Sequence, residues 1–417
     1  MDCCLISRAM DAMPRGLQNN RKLLYHSYIR LIGSKLLYFH KINQMKILFT
    51  GGGTGGHIYP IVAVVRELKK KYGGNVKLSY LGPKDNFCKV VLAKEQVKVR
   101  TIMAGKMRRY GNPLSIAQNI IDMFIKIPFG VLQSFFLLFF INPDAVLSKG
   151  GYGSFPVAIA AWVLRIPLFL QESDIIAGLA VKKTARYATK IFVSFPNTQG
   201  FLAQKMILSG NPVRAEISNG SKDGAVKALG IKGGRPIILV IGGSQGAQRI
   251  NDKILDAMPD LLKAYEIIHI VGPRNLDQLN KESRIMAQES DLEYYHSLGF
   301  ANEKTMADVY AAADLIVSRA GSGSIFEIAA VKKPSILIPL PEAAQNHQVK
   351  NAYAYAQTGA AMVMEEGNFT RHLFLEKING LFSTPEMTAA MMEAASQFAR
   401  PDAGRMIADY IVKYISK

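Results

Sequence analysis

Lys46-Ile47-Leu48-Phe49-Thr50-Gly51-Gly52-Gly53-Thr54-Gly55-Gly56-His57-Ile58-Tyr59-Pro60 is the stretch whose reading decides the fold. Lys46 to Thr50 form a short apolar run that reads as a buried strand. Ile58 to Leu68 read as a helix, with Pro60 in its first turn and apolar residues recurring three and four apart. A strand, a glycine loop and a helix in that order bring bare backbone N–H groups to a helix N-terminus, where an anion such as a phosphate is favoured. His57 stands at the mouth of that site. Gly51, Gly53 and Gly56 also satisfy G-x-G-x-x-G, the dinucleotide fingerprint. That fingerprint needs an acidic residue at the tip of the second strand to hold a ribose. Here residues 76–81 run into Gly82-Pro83-Lys84, and Asp85 comes only after a turn, so a nicotinamide dinucleotide is disfavoured. A turn serving close packing alone needs neither so many glycines nor a histidine.

Working outward, the chain has 417 residues, which is expected to form two domains or one large one. Its formal net charge of +19 suits nucleic acid, an anionic membrane surface or a phosphorylated substrate. With no zinc-ligand spacing and no aromatic-and-glycine RNA-binding signature, nucleic acid is the weakest of the three. Cys3, Cys4 and Cys88 make no disulfide framework, which fits a reducing cytoplasm. Residues 1–44 are basic and lack the strand–loop–helix pattern, and Met45 falls immediately before the first strand. They show no secretory signal. The expectation is an upstream start-site artefact with Met45 as the natural start; the other reading is a basic amphipathic anchor near residues 23–37.

From Met45 short apolar runs alternate with amphipathic segments, the pattern of an α/β chain with parallel sheets. Strands are expected at 46–50, 76–81, 97–102, 145–148, 167–170 and 190–193. Ser209-Gly210-Asn211-Pro212 is a turn-rich break. The alternation restarts with strands at 236–241, 266–271, 315–318, 335–339 and 361–364. Two similar halves, each opening with strand, glycine loop and helix, leave a cleft between them as a natural ligand site. The most apolar region is 114–141. Asp122 and Lys126 interrupt it, Pro128 and Gly130 are expected to break it, and the uninterrupted part is shorter than the roughly 20 residues needed to cross a bilayer. Residues 135–141 are assigned mainly to the core. Ile121, Phe124, Ile125, Lys126 and Phe129, beside Lys106, Arg108 and Arg109, are expected to meet an anionic lipid surface.

Three further loops follow strands and open helices: Lys149-Gly150-Gly151-Tyr152-Gly153-Ser154-Phe155-Pro156, Gly242-Gly243-Ser244-Gln245-Gly246-Ala247-Gln248, and Ser318-Arg319-Ala320-Gly321-Ser322-Gly323-Ser324-Ile325-Phe326-Glu327. Two such loops in each half point to one phosphate-rich ligand or to two phosphorylated ligands meeting between the domains. With Glu172-Ser173-Asp174, Ala177-Gly178-Leu179, Gly210-Asn211-Pro212-Val213-Arg214, Asn251, Pro339, Asn346-His347-Gln348 and Asn351-Ala352, they make a set specific in order and spacing. From Met45 to its end the chain resembles the MurG family, the UDP-N-acetylglucosamine-dependent transferases of bacterial peptidoglycan synthesis.

The resemblance implies an α/β chain of two Rossmann-like domains facing across a cleft, the glycosyltransferase B fold. An acceptor- and membrane-binding domain would cover 45–210 and a UDP-sugar domain 211–399, with a C-terminal helix within 400–417, about residues 403–415, returning to the first domain. It implies inverting transfer of N-acetylglucosamine from UDP-N-acetylglucosamine to the C4 hydroxyl of an undecaprenyl-pyrophosphoryl-N-acetylmuramyl-pentapeptide, peripherally at the cytoplasmic face of the inner membrane, without a cofactor. No D-x-D pair occurs in the sequence to hold a metal. Glu327 would accept from the ribose hydroxyls. Ser244, Gly323 and Ser324 would hold the diphosphate, Phe300 and Ala301 would meet the uracil, and Arg214 would offset phosphate charge. His347 and Gln348 match a family pair of glutamines at the sugar, the first place being changed to histidine here. Thr54, Gly55, Gly56, His57 and Asp174 would border the UDP-sugar from the first domain. Gly52, Gly53, Gly151 and Tyr152 would receive the acceptor pyrophosphate. Inversion needs a base beside the acceptor hydroxyl; His57 is the first candidate, because its ordinary pKa of about 6.5 leaves it neutral at pH 7, and Asp174 the second. Each residue also has a plain structural role open to it: a phosphate ligand or loop former for His57, a helix N-cap for Asp174, an interdomain ion pair for Arg214, a solvated charge for Glu327. A transferase acting on another membrane glycolipid and a non-catalytic UDP-sugar sensor are the competing functions.

Overall fold

The computed structural model describes residues 44–417 apart from Gly53, Thr54, Met107, 109–112, Ser244 and Gln245, and only the backbone of Pro113 and Leu114. The expectations for residues 1–43, Gly53, Thr54, Arg109 and Ser244 lie outside the described residues.

The first sheet contains β1 (Met45–Thr50), β2 (Val76–Gly82), β3 (Lys98–Thr101), β4 (Ala145–Ser148), β5 (Leu168–Glu172), β6 (Lys190–Val193) and β7 (Met206–Leu208) in the order β3-β2-β1-β4-β5-β6-β7. The second contains β8 (Ile237–Ile241), β9 (Glu266–Ile270), β10 (Tyr295–Leu298), β11 (Leu315–Ser318), β12 (Ser335–Leu337) and β13 (Ala361–Val363) in the order β10-β9-β8-β11-β12-β13. All pairings are parallel. Strand order reverses between β1 and β4 and again between β8 and β11, and in open α/β sheets the crevice outside such a switch point takes the ligand. The central strands β1, β4, β8 and β11 are buried over most of their length because helices cover both faces, so they read as continuous apolar runs. Two strands were not expected: β7, which is half exposed at a sheet edge, and β10, where Tyr295, His296 and Ser297 mask any alternation.

The helix after β1 runs over Gly55–Tyr72, starting inside the glycine loop. Pro60 therefore lies a full turn inside it rather than in its first turn, and the ring forfeits one i→i−4 hydrogen bond. Ile58, Ile61, Val62, Val65 and Leu68 form its buried face, and Lys69, Lys70 and Lys71 sit favourably at the negative end of its dipole.

The apolar region departs from expectation twice. Helices Pro113–Ile121 and Ile127–Ile141 are joined without a break by a π-helical turn, Asp122–Lys126. Asp122 and Lys126 do not interrupt the helix; they pair across that turn at 2.6 Å. Pro128 falls in the first turn of the helix that follows, where a missing N–H costs little, so no break arises there. The stretch 115–141 is consequently long and apolar enough to cross a membrane by length and composition. Nor do residues 135–141 lie mainly in the core: Leu138 is fully buried, while Phe136, Phe139 and Phe140 are more than half exposed.

The C-terminal helix Ala403–Ile415 buries Ile407, Ala408, Ile411 and Val412 in the cluster that holds Ile47, Val62 and Phe169 of the first sheet. Lys71 pairs with Asp409 at 2.7 Å. The chain makes this return beside Gly210, whose φ is +80° and where a Cβ would stand 2.4 Å from that of Arg400. Both the backbone and the space there require glycine.

Candidate functional site

The loops after β1 and β4 meet over the first switch point. Gly151 has φ +80°, and a Cβ on it would stand 2.9 Å from the Gly52 backbone, so only glycine permits this approach. His57 lies between them: a Cβ on Gly52 would be 3.2 Å from its Nδ1 and one on Gly151 3.3 Å from its Nε2. Burial of the ring, and then the charge of Lys149, push its pKa down to about 3. Tyr152 is half-buried in the turn Tyr152–Ser154, and Tyr80 Oη donates to Gly51 O at 3.1 Å from below. The loop carries a charge that sequence reading passed over. Lys149 is buried and donates to Ser173 Oγ, and burial lowers its pKa against the raising influence of Glu172 and Asp174. Ser173 Oγ donates in turn to Asn211 Oδ1 at 2.8 Å. Burial, with Asp174 beside it, raises the Glu172 carboxyl to about 7.

Loops after β8 and β11 form a cleft of about 390 Å3 at the second switch point. Gly242, Gly243, Gly246 and Ala247 line one side, Arg319, Gly321 and Ser324 the other, and Gln348 and Arg249 the rim. Helices Gln248–Ala264 and Ser322–Ala330 start here, and neither start carries a side-chain cap. Two uncapped helix N-termini beside two arginines make a site for a polyanion. Arg319 is held by Glu366 at 2.5 Å, and Arg249 by Glu342 at 2.7 Å and Glu366 at 2.8 Å. Gln348 Oε1 accepts from Leu340 N at 3.0 Å, and His347 Nδ1 donates to Ala344 O at 2.7 Å. Ser324 and Gln348 thus reach this cleft, whereas Phe300 and Ala301 follow β10 outside its lining.

Glu327 faces the domain junction. Its Oε1 accepts from Arg214 Nη2 at 3.0 Å and its Oε2 from Tyr310 Oη at 3.1 Å. The Arg214 guanidinium also lies 4.1 Å from the ring centroid of Tyr59, which belongs to the helix after β1. Arg66 of the same helix pairs with Glu216 at 2.8 Å and Glu303 at 3.0 Å. Ser322 Oγ donates to Ser173 O at 2.6 Å. Asn351, fully buried, donates to Asp174 Oδ1 at 2.7 Å and accepts from Ile175 N at 3.0 Å. Asp174 is therefore not a helix N-cap. The amide at the start of Leu179–Thr184 is held by Glu172, which accepts from Gly178 N at 2.8 Å. The helices after β1 and β11 touch, so the helix that carries His57 and the one that carries Glu327 meet at one junction. Among the described residues no group of His, Cys, Asp and Glu stands close enough to hold a metal ion.

Residues 47–193 match the glycosyltransferase family 28 N-terminal domain and 237–406 its C-terminal domain. The UDP-N-acetylglucosamine--N-acetylmuramyl-(pentapeptide) pyrophosphoryl-undecaprenol N-acetylglucosamine transferase 2 of Bacillus cereus is 36% identical over 82% of this chain and 93% of its own length. The chain belongs to the MurG family. A Clostridium kluyveri transferase of the same description, without the final numeral, is 34% identical over 88% of this chain and 99% of its own. Among solved structures, Acinetobacter baumannii MurG superposes with a TM-score of 0.66 at 25% identity, over 88% of this chain and 99% of that one. A UDP-GlcNAc 2-epimerase from Neisseria meningitidis, bound to UDP-GlcNAc, shares the fold at a TM-score of 0.63 and 16% identity, over 88% of this chain and 100% of that one. The two facing α/β domains are the glycosyltransferase B fold of the MurG family.

Of the residues that sequence reading passed over, Lys149 and Arg319 each had a signal: they are the cations that open the second and fourth glycine loops. Tyr59 had none, because its partner Arg214 lies 155 positions away; Asn351 stood in the family set, but its pairing with Asp174 was not signalled.

Ile121, Phe124, Ile125 and Phe129 are exposed, and Lys126 projects beside them. Arg108 is half-buried, its guanidinium 2.8 Å from Asp122. Burial would raise the Asp122 carboxyl, but hydrogen bonds from Lys126 and Arg108 hold it below the ordinary value.

Proposed function

We propose that this chain transfers N-acetylglucosamine from UDP-N-acetylglucosamine to the C4 hydroxyl of undecaprenyl-pyrophosphoryl-N-acetylmuramyl-pentapeptide, releasing UDP, while resting peripherally on the cytoplasmic face of the bacterial inner membrane. The observation that carries this reading is the likeness to transferases of that description, which extends through both halves of the chain and therefore through both switch-point sites.

The donor diphosphate sits on the helix starts after β8 and β11, with Arg249, Arg319 and Ser324 around it and Gln348 toward the sugar. Glu327 takes the ribose hydroxyls, and Arg214 shifts part of its charge from Glu327 to the phosphates as the nucleotide enters. The acceptor diphosphate sits on the amides around Gly52 and Gly151, above the buried cation of Lys149. The acceptor hydroxyl attacks the anomeric carbon as the bond to the UDP oxygen breaks on the opposite face, and the configuration inverts. Positive helix ends and arginines meet the charge that develops on UDP.

His57 takes the hydroxyl proton. It is in the base form at pH 7; burial and Lys149 weaken it as a proton acceptor, and a diphosphate dianion nearby offsets this by stabilising the imidazolium as it forms. Asp174, already engaged by Asn351, is the second candidate base. The exposed face from Ile121 to Phe129, with Lys126, brings the first domain to the anionic surface where the lipid acceptor resides.

With UDP-N-acetylglucosamine and the lipid-linked N-acetylmuramyl pyrophosphate, the protein is expected to release UDP and form a disaccharide lipid. Turnover with a diacylglycerol acceptor in its place would support the related glycolipid reading, and UDP-sugar binding without turnover on either acceptor would support the sensor.

A further inference from the structure

His269 on β9 has no accessible surface, and three neighbouring β9 residues, Ile267, Ile268 and Ile270, are aliphatic. A polar ring in such a place costs stability unless its hydrogen bonds are met, and here they are met in one direction. Asn251 Nδ2 donates to Val271 O at 3.1 Å, so its Oδ1 is turned toward His269 Nε2, 3.1 Å away, and must accept from it. With the proton on Nε2, the bare Nδ1 accepts from Tyr295 Oη at 2.9 Å. Burial pushes the ring's pKa down to about 3, so a second proton does not disturb this order. The chain runs Tyr295, His269, Asn251, Val271, and it ends beneath the donor cleft.

Asn251 is fully buried in the first turn of the helix Gln248–Ala264, and its own N–H donates to Ala247 O at 2.9 Å. Val271 O also accepts from Asn275 Nδ2 at 2.9 Å. Gly246 lies directly on that carbonyl: its φ is +78°, and a Cβ there would stand 2.1 Å from Val271 O. Gly246 and Ala247 line the cleft. The position of these loop amides is thus set by a carbonyl and an asparagine whose Oδ1 is held by the proton on His269 Nε2.

We propose that His269 is a positioning residue for the donor diphosphate: through Asn251 it holds the first turn of Gln248–Ala264 and the end of the Gly242–Ala247 loop in register beneath the UDP-sugar. This rests on the reading that a UDP-sugar occupies this cleft. His269→Phe keeps a ring but removes both hydrogen bonds, whereas His269→Gln can still accept from Tyr295 and donate to Asn251. Calorimetry with UDP and initial rates with each substrate varied separately read the effect on the full chain. His269→Phe should raise the UDP Kd and the donor KM about tenfold, with the acceptor KM within about twofold, and His269→Gln should stay within about threefold of the unmodified protein. Unchanged UDP binding in His269→Phe, an equal rise in both KM values, or a glutamine variant as impaired as the phenylalanine one would overturn the positioning role. If His269→Phe does not fold, Tyr295→Phe carries the test. A donor KM raised about two- to threefold with the acceptor KM unchanged supports the role, and an unchanged donor KM overturns it. No UDP binding by the unmodified protein would sink the nucleotide reading as well, which separates the two failures.

Discussion

His57 and His269 are both neutral histidines held by burial, yet they are expected to fail differently when altered. His57 touches two glycine loops of the first domain, the half proposed to take the acceptor, so His57→Ala should lower kcat by about 10²–10⁴ while UDP affinity in calorimetry stays within about twofold. Loss of UDP binding would mean that the imidazole serves the nucleotide instead. His269 also carries a pH signature. Its pKa is about 3 when folded against 6.5 when exposed, so between those values the unfolded chain binds a proton that the folded chain refuses. The stability it contributes is complete above 6.5 and is lost as pH falls toward 3, at about 1.4 kcal/mol per pH unit for one proton. Glu172, raised from 4.5 to about 7, has the opposite sign, because its folded form keeps a proton that the unfolded form has released as pH rises through that window. Urea unfolding of His269→Gln at several pH values should therefore show an acid-side slope smaller by one proton than that of the unmodified chain; equal slopes would contradict a buried neutral ring. At this scale the glycine loops and His57 were legible because a helix N-terminus without side chains has few uses. The pairing of Asp174 with Asn351 of the other domain was not, because nothing in the local sequence around Asp174 announces that partner.

The long helix shows where periodicity stops informing. Residues 135–141 are apolar all round, so composition does not say which face is buried; Pro128, Gly130 and the charges suggest breaks, yet Asp122 and Lys126 sit in a π-helical turn and the α-helix after it contains Pro128 and Gly130. The packing decides instead: Leu138 faces the cluster of Val146, Val157 and Leu168, while Phe140 is 77% exposed. Leu138→Ala should cost about 2–5 kcal/mol in denaturant unfolding, and Phe140→Ala should stay within about 0.5 kcal/mol. Similar costs for the two would mean that Phe140 is covered in the folded protein. Core strands such as β4, β6 and β11 were readable to the residue, since burial on both faces leaves an uninterrupted apolar run between turns. Edge strands β7 and β10 were not, since a half-exposed strand of mixed residues has no such run.

For the whole molecule, two switch points face one junction, clasped by Ser322 on Ser173, Asn351 on Asp174 and Arg66 on Glu216 and Glu303. The doubling of strand, glycine loop and helix was visible in the sequence, whereas the last helix was expected from the family resemblance. How the two halves face each other was not, because it is set by contacts between residues more than a hundred positions apart, and it came only from the family resemblance. The central claim is that one half grips a nucleotide and the other a lipid-linked diphosphate, each on main-chain amides at a helix start. A crystal structure of the protein with UDP and an acceptor diphosphate analogue tests this most directly. UDP should lie on Gly242–Ala247 and Arg319–Ser324, and the analogue's diphosphate on Gly52 and Gly151 within reach of His57; both diphosphates in one half, or the two exchanged, would contradict it.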